Sequence, residues 1–572
     1  MKTTLENIKS LGGLKISALV AAVLATGTWV FLRVKDINPA ILQDEWIYTI
    51  TSRNHGPWDQ NLPFDYGNYL FNLVYSSTTL CGQEFYTCAK LLNIAFIQGF
   101  ALTLFVIALR FIPFWGAFAF FIAAALSPTS VYASMYLPEP LFFFLLGLTL
   151  YFVLKASENP TWKTWAYAGI PLGLAGLVKP HALMAAMALG IYLLIASLDH
   201  KPYFKLTALN VAGFASGFLV TRIVVGFLVA GPKSLNIFNA YGASGAIGEF
   251  VGGVAGGGAA TEGALVGAGP VAGAVGLFPT QVYTHSLVIS ALLGAAVVAI
   301  LIATIDIFRT SVVKPQHRLA LLTLIWLTVM VIVIVLFTGW ITGSGDDHTT
   351  RVLLRYYDYL FPIVMLAGVV VVWDKDILTG TKAWIRWVAI APIFLLISIA
   401  FAGYFGSLTI QIADAPNLAG LVVDQTQINV TANLLFLTLL VVAFFPKFTI
   451  WAMALLVPWT MIGTGWQIQD QYQGFRLQES AADKAGVFTR DYIPAAELDS
   501  VLILAESRFD GRVASFWMEH NTDLEILAPS SIYPTELIPE DTKWVLVIGS
   551  LAVDSGEAVS SEEGYQLIKL RD

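Results

Sequence analysis

Charge is what this sequence lacks most. Only 12% of its 572 residues are charged, while 57% are hydrophobic and the mean hydropathy is +0.71. Soluble domains carry about 25% charged residues. This chain therefore has too little polar surface to coat a water-soluble particle, and it reads as a polytopic membrane protein embedded in a lipid bilayer. Its few basic residues are scattered over short loops and form no stripe, so no nucleic-acid partner is expected. Cysteine is almost absent: only Cys81 and Cys88 occur. No His, Cys and carboxylate group has the spacing of a zinc site. A cleavable leader is missing too. Lys2, Lys9 and Lys15 precede the apolar run 16–32, but no small-residue cleavage site comes before Arg33, so the run reads as an uncleaved first helix.

What is abundant is apolar runs of about 17–25 residues, the length that crosses a bilayer. About 13 are counted, near residues 16–33, 91–109, 111–127, 138–155, 165–179, 181–198, 207–230, 286–308, 319–341, 358–373, 387–406, 431–446 and 448–466. With the N-terminus in the cytoplasm, Arg110, Lys155, Lys163, Lys201, Lys205, Arg309, Lys314, Arg318, Lys375, Lys382, Arg386 and Lys447 all fall in cytoplasmic loops. Residues 34–90, 128–137, 231–285, 342–357, 407–430 and everything after 467 then lie outside. The expected location is the plasma (inner) membrane.

The expected architecture is a transmembrane domain over 1–466 followed by a small extracytoplasmic α/β domain over 467–572. In that tail, strand-like runs at 501–505, 524–527, 544–548 and 565–570 alternate with a helix near 512–520. The tail has no Gly-x-Gly-x-x-Gly, no Cys-x-x-Cys and no defensible Ser-His-Asp spacing. The external loop 34–90 is rich in aromatic residues and suits short interfacial helices. A helix across 81–88 would set the two cysteines about 10 Å apart, beyond disulfide reach, so a bridge there requires an irregular loop. Residues 241–276, inside the Gly-rich external loop 231–285, read as a flexible lid or a linker.

Candidate chemistry clusters on the predicted external side. Asp44 and Glu45 open a short helix, with Tyr48 one turn after Asp44. One carboxylate can meet a substrate as general base while the other orients a helix end or a metal. The bland alternative is an acidic pair favoured by the helix dipole. Glu139 starts a span between Pro138 and Pro140, either as a helix-end charge or as a pocket wall. Lys179-Pro180-His181 places two cation-capable groups at a turn, suited to phosphate or to interfacial snorkelling. Arg222 lies about 12 Å deep by helix rise, and an intramembrane Arg is a functional candidate. Arg351, Arg355 and Tyr359 fall one turn apart on one helical stripe suited to bidentate phosphate binding, with Tyr356 a further phosphate-binding candidate beside Arg355. The alternative there is an Arg355–Asp358 pair. A divalent cation between Asp44 or Glu45 and Asp346, Asp347 or His348 is compatible with the residues, though nothing in their spacing demands it.

The segment DEWIY resembles the first-loop signature of GT-C membrane glycosyltransferases, in the protein O-mannosyltransferase and aminoarabinose-transferase branch. SVYASMYLPEPLFFFLLGLTLYFVLKA, GLAGLVKPHALM and RYYDYLFP are similar to later segments of that group. The resemblance covers residues 15–375. It implies a polyprenyl-phosphate sugar donor, an extracytoplasmic acceptor (lipid, glycan or protein) and a role in building the cell envelope. It makes Asp44 the catalytic carboxylate, with Glu45 beside it, and implies inversion at the anomeric carbon. Lys179 and the Arg351/Arg355 stripe would then lie where lipid phosphate is bound. A WWDYG-type motif is absent, which argues against an N-oligosaccharyltransferase. The rival reading is a transporter or flippase of a lipid-linked glycan. It predicts internal repeats and midplane charges, and apart from Arg222 the charges gather at one face.

Overall fold

The computed structural model describes residues 12–41, 44–55, 58–59, 66–197, 204–236, 269–310, 313–343, 348–520, 522–554 and 556–570. The chain is a multi-pass helical membrane protein with a small strand-containing domain at its C-terminal end. Every predicted span falls on a helix, but the count of 13 full spans is not met. Among the described residues nine helices are long and apolar enough to cross a membrane, or ten if the bent pair Phe114–Ala125 and Pro128–Ser134 is one span. The shortfall has a physical cause. The helices Trp162–Ala175, Ala182–Ser197 and Leu360–Trp373 have 14, 16 and 14 residues. At about 1.5 Å per residue such helices fall short of a 30 Å hydrocarbon core. The turn between the first two of these helices carries Lys179 and His181, and the turn before the third carries Arg355 and Tyr356.

Small residues set a close helix contact. Gly213 and Gly217 of the helix Phe204–Ala230 face the backbone of Trp162–Ala175. A Cβ on Gly217 would sit 2.0 Å from the Ala166 carbonyl oxygen, and one on Gly213 would sit 2.3 Å from that of Trp162. In lipid, such small-x-x-x-small spacing lets backbones touch and gain dispersion contacts. The paired helices hold the turn that follows Ala175, which contains Lys179.

The first predicted external loop is folded. It contains the helices Glu45–Ile50 and Tyr69–Tyr75 and a π-helical turn, Thr51–His55. Cys81 and Cys88 are disulfide-bonded, with Cα atoms 6.6 Å apart. Gly82, at φ 55°, interrupts the helical path between them and shortens the distance. Residues 237–268, and with them most of the lid-or-linker segment 241–276, lie outside the described residues, as do Asp346 and Asp347. Residues 270–285, expected in the external loop, are instead the start of the helix Pro270–Thr310, whose small apolar residues continue the helical run.

The strand-containing domain holds β1 (Val501–Ala505), β2 (Asp523–Ile526), β3 (Ile532–Tyr533), β4 (Trp544–Ile548), β5 (Ala552–Val553), β6 (Glu557–Glu562) and β7 (Tyr565–Lys569). Five strands form one sheet in the order β2-β1-β4-β7-β6, with β1 parallel to β2 and β4, and β7 antiparallel to β4 and β6. β3 and β5 form a separate parallel pair. β1 and β4 are buried along their whole length, which explains their unbroken apolar runs. Alternation sorts their side chains. Ile503, Ala505, Leu546 and Ile548 join the core that continues into the membrane helices, whereas Leu502, Leu504, Val545 and Val547 build a smaller core on the other face.

Candidate functional site

Four charged groups from distant parts of the chain converge. Arg355 Nη2 donates to Asp44 Oδ2 at 3.2 Å, and Arg355 Nε lies 3.6 Å from Glu139 Oε1. Lys179 Nζ donates to the same Glu139 oxygen at 2.7 Å. The result is a line of alternating charge, Lys179–Glu139–Arg355–Asp44. Exposure separates its members: the Asp44 side chain is 27% exposed, whereas Glu139 is fully buried and Lys179 and Arg355 nearly so. Asp44 is the one carboxylate of this line that solvent reaches.

Local structure explains the placements. Asp44 takes the N-cap position of the helix Glu45–Ile50, yet its side chain makes no capping bond. It bonds Arg355 instead of the helix amides. Glu45 points elsewhere: it is fully buried and its Oε1 accepts the Tyr136 amide at 2.8 Å. The two adjacent carboxylates are thus split between a reachable group and an anchor. Tyr48 is buried edge-on to Phe71, with ring centroids 5.3 Å apart. Glu139 opens the helix Glu139–Glu158, and Lys179 and His181 sit in the break before Ala182–Ser197. Glu139 Oε2 is buried and makes no hydrogen bond among the described residues.

Tyr356 floors this line. The Lys179 ammonium and the Arg355 guanidinium each lie 5.4 Å from its ring centroid, and His181 stacks on it at 4.4 Å and 22°. Burial, together with the charges of Lys179 and Arg355, pushes His181 well below the usual histidine range. That direction favours the neutral ring, which leaves Lys179 as the cation the turn offers to a phosphate. Burial opposes the charge on Arg355, but Tyr356, Glu139, Asp44 and Asp414 outweigh it and raise its proton affinity above the ordinary arginine value. Burial pushes the Tyr356 hydroxyl up to about 12.

Three expectations need correction. Arg351 and Arg355 do not share a helical stripe. The segment is a single 3-10 turn, Leu354–Tyr356, and Arg351 turns away to Asp414 and to His348 Nδ1 at 3.2 Å. A backbone bridge between Arg351 and Thr409, and the Arg355 amide bonding the Asp414 carbonyl at 2.6 Å, stitch this strand-like path to residues 409–414. Arg222 is also apart from the charged line. Its Nη1 donates to the Ser234 carbonyl at 2.9 Å and its guanidinium lies 5.9 Å from the Tyr69 ring. Asp358 does not pair with Arg355 either: it accepts from Tyr132 and Asn417, each at 2.8 Å.

Sequence reading missed Asp414, Tyr132 and Asn417, because only the fold brings the 407–417 loop under the Arg355 segment. Among the described residues no group of three His, Cys, Asp or Glu side chains could hold a metal ion. The cation reading through Asp346 and Asp347 lies outside them.

Residues 78–222 match the family described as dolichyl-phosphate-mannose-protein mannosyltransferase. The matched segment contains Glu139, Lys179 and His181, and it bears out the resemblance to membrane glycosyltransferases drawn from the sequence. No curated protein sequence matches the chain. Among solved structures, ArnT from Cupriavidus metallidurans bound to undecaprenyl phosphate aligns over 97% of both chains, at 15% identity and a TM-score of 0.48. The archaeal oligosaccharyltransferase AglB from Archaeoglobus fulgidus, in complex with an inhibitory peptide and a dolichol-phosphate, aligns over 94% of this chain and 69% of its own. Its identity is 12% and its TM-score 0.42.

Proposed function

We propose that the protein moves a sugar from a polyprenyl-phosphate-linked donor to an acceptor hydroxyl or amine at the extracytoplasmic face of the inner membrane, with Asp44 as general base. The observation that carries this reading is the charged line itself: a reachable carboxylate coupled through buried Arg355 to the Glu139–Lys179 pair. The family match, which spans the Glu139 and Lys179 half of that line, supports it.

The chemistry follows from the charges. With no phosphate present, two cations balance two carboxylates. A donor phosphate brings negative charge that draws Arg355 and Lys179 toward it as charge-assisted donors. Asp44 then loses its hydrogen bond to Arg355 and is left free to accept a proton. As the bond between the anomeric carbon and phosphate oxygen breaks, the electron pair stays on the phosphate, where the two cations stabilise it. The acceptor oxygen or nitrogen attacks the opposite face and gives its proton to Asp44, with inversion at carbon. The pairing of the Arg351 guanidinium with Asp414 supports a role in holding the loop rather than the phosphate.

The test is sugar transfer in proteoliposomes that carry polyprenyl-phosphate sugar and a membrane extract as acceptor source. Asp44→Asn is expected to stop transfer while insertion, folding and polyprenyl-phosphate binding persist. Transfer by Asp44→Asn at the wild-type rate would remove Asp44 from the mechanism. Donor lipid that crosses the bilayer unconsumed would instead point to a flippase.

A further inference from the structure

The helix that carries Asp44 and Glu45 is gripped from the C-terminal domain. Its outer side meets the helix Arg508–Met518, which runs between β1 and β2. The Arg512 guanidinium lies 3.8 Å from the centroid of the Trp46 ring. One helical turn past Ile50, Arg53 donates two bonds to Glu519, Nε to Oε2 at 2.6 Å and Nη2 to Oε1 at 3.1 Å. This pair is shielded: the side chains are 7% and 12% exposed. Asn54 also bonds the Glu519 carbonyl oxygen. Phe516 packs edge-on to Tyr136, whose amide anchors the Glu45 carboxylate.

Glu519 itself is the second observation. It ends the helix Arg508–Met518 with φ 62° and ψ 18°, the left-handed conformation that disfavours any residue with a Cβ. Glycine is the usual occupant. Here a glutamate is kept, and its side chain and its carbonyl both reach residues 53 and 54. Backbone strain tolerated where both polar groups of a residue are used points to a positional role. Helix capping alone would be met at least as well by glycine.

We propose that Glu519 and Arg512 are positioning residues. By clamping the segment 46–54 they hold Asp44 at the distance from Arg355 that the reaction uses. This rests on the reading of Asp44 as the reactive carboxylate, and it makes the C-terminal domain a working part of the site. An isolated helix of six residues has little stability of its own. Its direction must come from tertiary contacts, and the described contacts on its outer side come from this domain.

Glu519→Gly separates the clamp from the fold, because glycine relieves the left-handed backbone while removing the carboxylate. The full-length protein in lipid nanodiscs is the sample, and polyprenyl-phosphate mannose is the probe donor. Amide hydrogen exchange over residues 45–55 is expected to rise about tenfold, with the strands of the domain as protected as in wild type. Donor turnover should fall with it, while binding of polyprenyl phosphate, held by Lys179 and Arg355, stays unchanged. The swap Arg53→Glu with Glu519→Arg should restore protection, and Arg512→Ala should repeat the loss in milder form. Unchanged exchange over 45–55 in Glu519→Gly, or a swap that restores nothing, overturns the proposal. A wild-type protein that ignores polyprenyl-phosphate mannose would count against the proposed donor alone, since the exchange measurements decide the clamp without it.

Discussion

Replacing Glu139 by Gln removes the carboxylate that two buried cations share. Lys179 Nζ lies 2.7 Å and Arg355 Nε 3.6 Å from the same oxygen, and both side chains are nearly fully buried. Burial already pulls Lys179 below the ordinary lysine range, and Glu139 is the main group opposing that pull. In Glu139→Gln the guanidinium keeps its proton, so the lysine gives up its own. That bounds the penalty. Neutralising a lysine of ordinary pKa about 10.4 costs about 1.36 kcal/mol per pH unit below that value, hence at most about 4.6 kcal/mol at pH 7 and about 1.9 kcal/mol at pH 9. The first figure falls within the about 3–5 kcal/mol expected for breaking a buried ion pair. The sign follows from proton counting. The unfolded lysine binds more protons than the folded, neutral one, so the variant gains stability as pH rises toward 10. Its deficit against wild type should therefore shrink between pH 7 and pH 9. The charge-free double variant Lys179→Met/Glu139→Gln should show neither the slope nor the full deficit. Thermal half-lives in nanodiscs at pH 7, 8 and 9 measure this. A deficit that is flat or grows with pH, or a double variant as weak as the single, would refute the assignment of a buried charged pair.

Further outcomes follow from the same geometry. His181→Gln should leave polyprenyl-phosphate affinity and its pH profile between 5.5 and 7.5 unchanged within about twofold, because a neutral ring contributes no charge to screen or titrate; Arg355→Gln should weaken binding at least about tenfold, the scale of one lost charge-assisted bond. Nuclear magnetic resonance of the His181 ring should show no titration over that range. Removing the disulfide with Cys81→Ser/Cys88→Ser should lower stability by about 2–3 kcal/mol, the entropy of closing so short a loop, read as an earlier melting midpoint than wild type. Gly217→Ala should cost about 1–3 kcal/mol, since the new methyl meets the Ala166 carbonyl. Lower yield and a lower midpoint report it, and a variant that melts with wild type would show that the two helices can separate freely.

Much of the fold was legible because the bilayer imposes it. Hydrocarbon leaves the backbone no hydrogen-bond partners, so apolar length alone marks helices, and the predicted segments fall on them. In the tail β1, β2, β4 and β7 stand where apolar runs placed them, whereas the short pair β3 and β5 and the largely exposed β6 carry too weak an apolar pattern to be read. The span count was less legible, since hydropathy cannot tell a short buried helix such as Leu360–Trp373 from one that crosses. Cys81 and Cys88 were undecidable because the distance depends on how Gly82 turns the chain.

The site divides in the same way. From sequence, Asp44, Glu139, Lys179 and Arg355 stood out because ionisable groups at membrane helix ends are costly and few. Sequence alone could not pair them. Periodicity joined Arg351 to Arg355, but the chain there follows a short turn and a strand-like path, so the two arginines diverge. Arg222 looked like a member of the same set and bonds a backbone carbonyl elsewhere. The sequence by itself determined the membrane class, the helices and which rare charges require an explanation, because those depend on local composition against a fixed solvent. Only the tertiary structure decided that Arg355 links Asp44 to Glu139 and that Glu519 reaches Arg53 across more than four hundred residues. Such pairings are set by how helices and loops pack, and no local pattern encodes that packing.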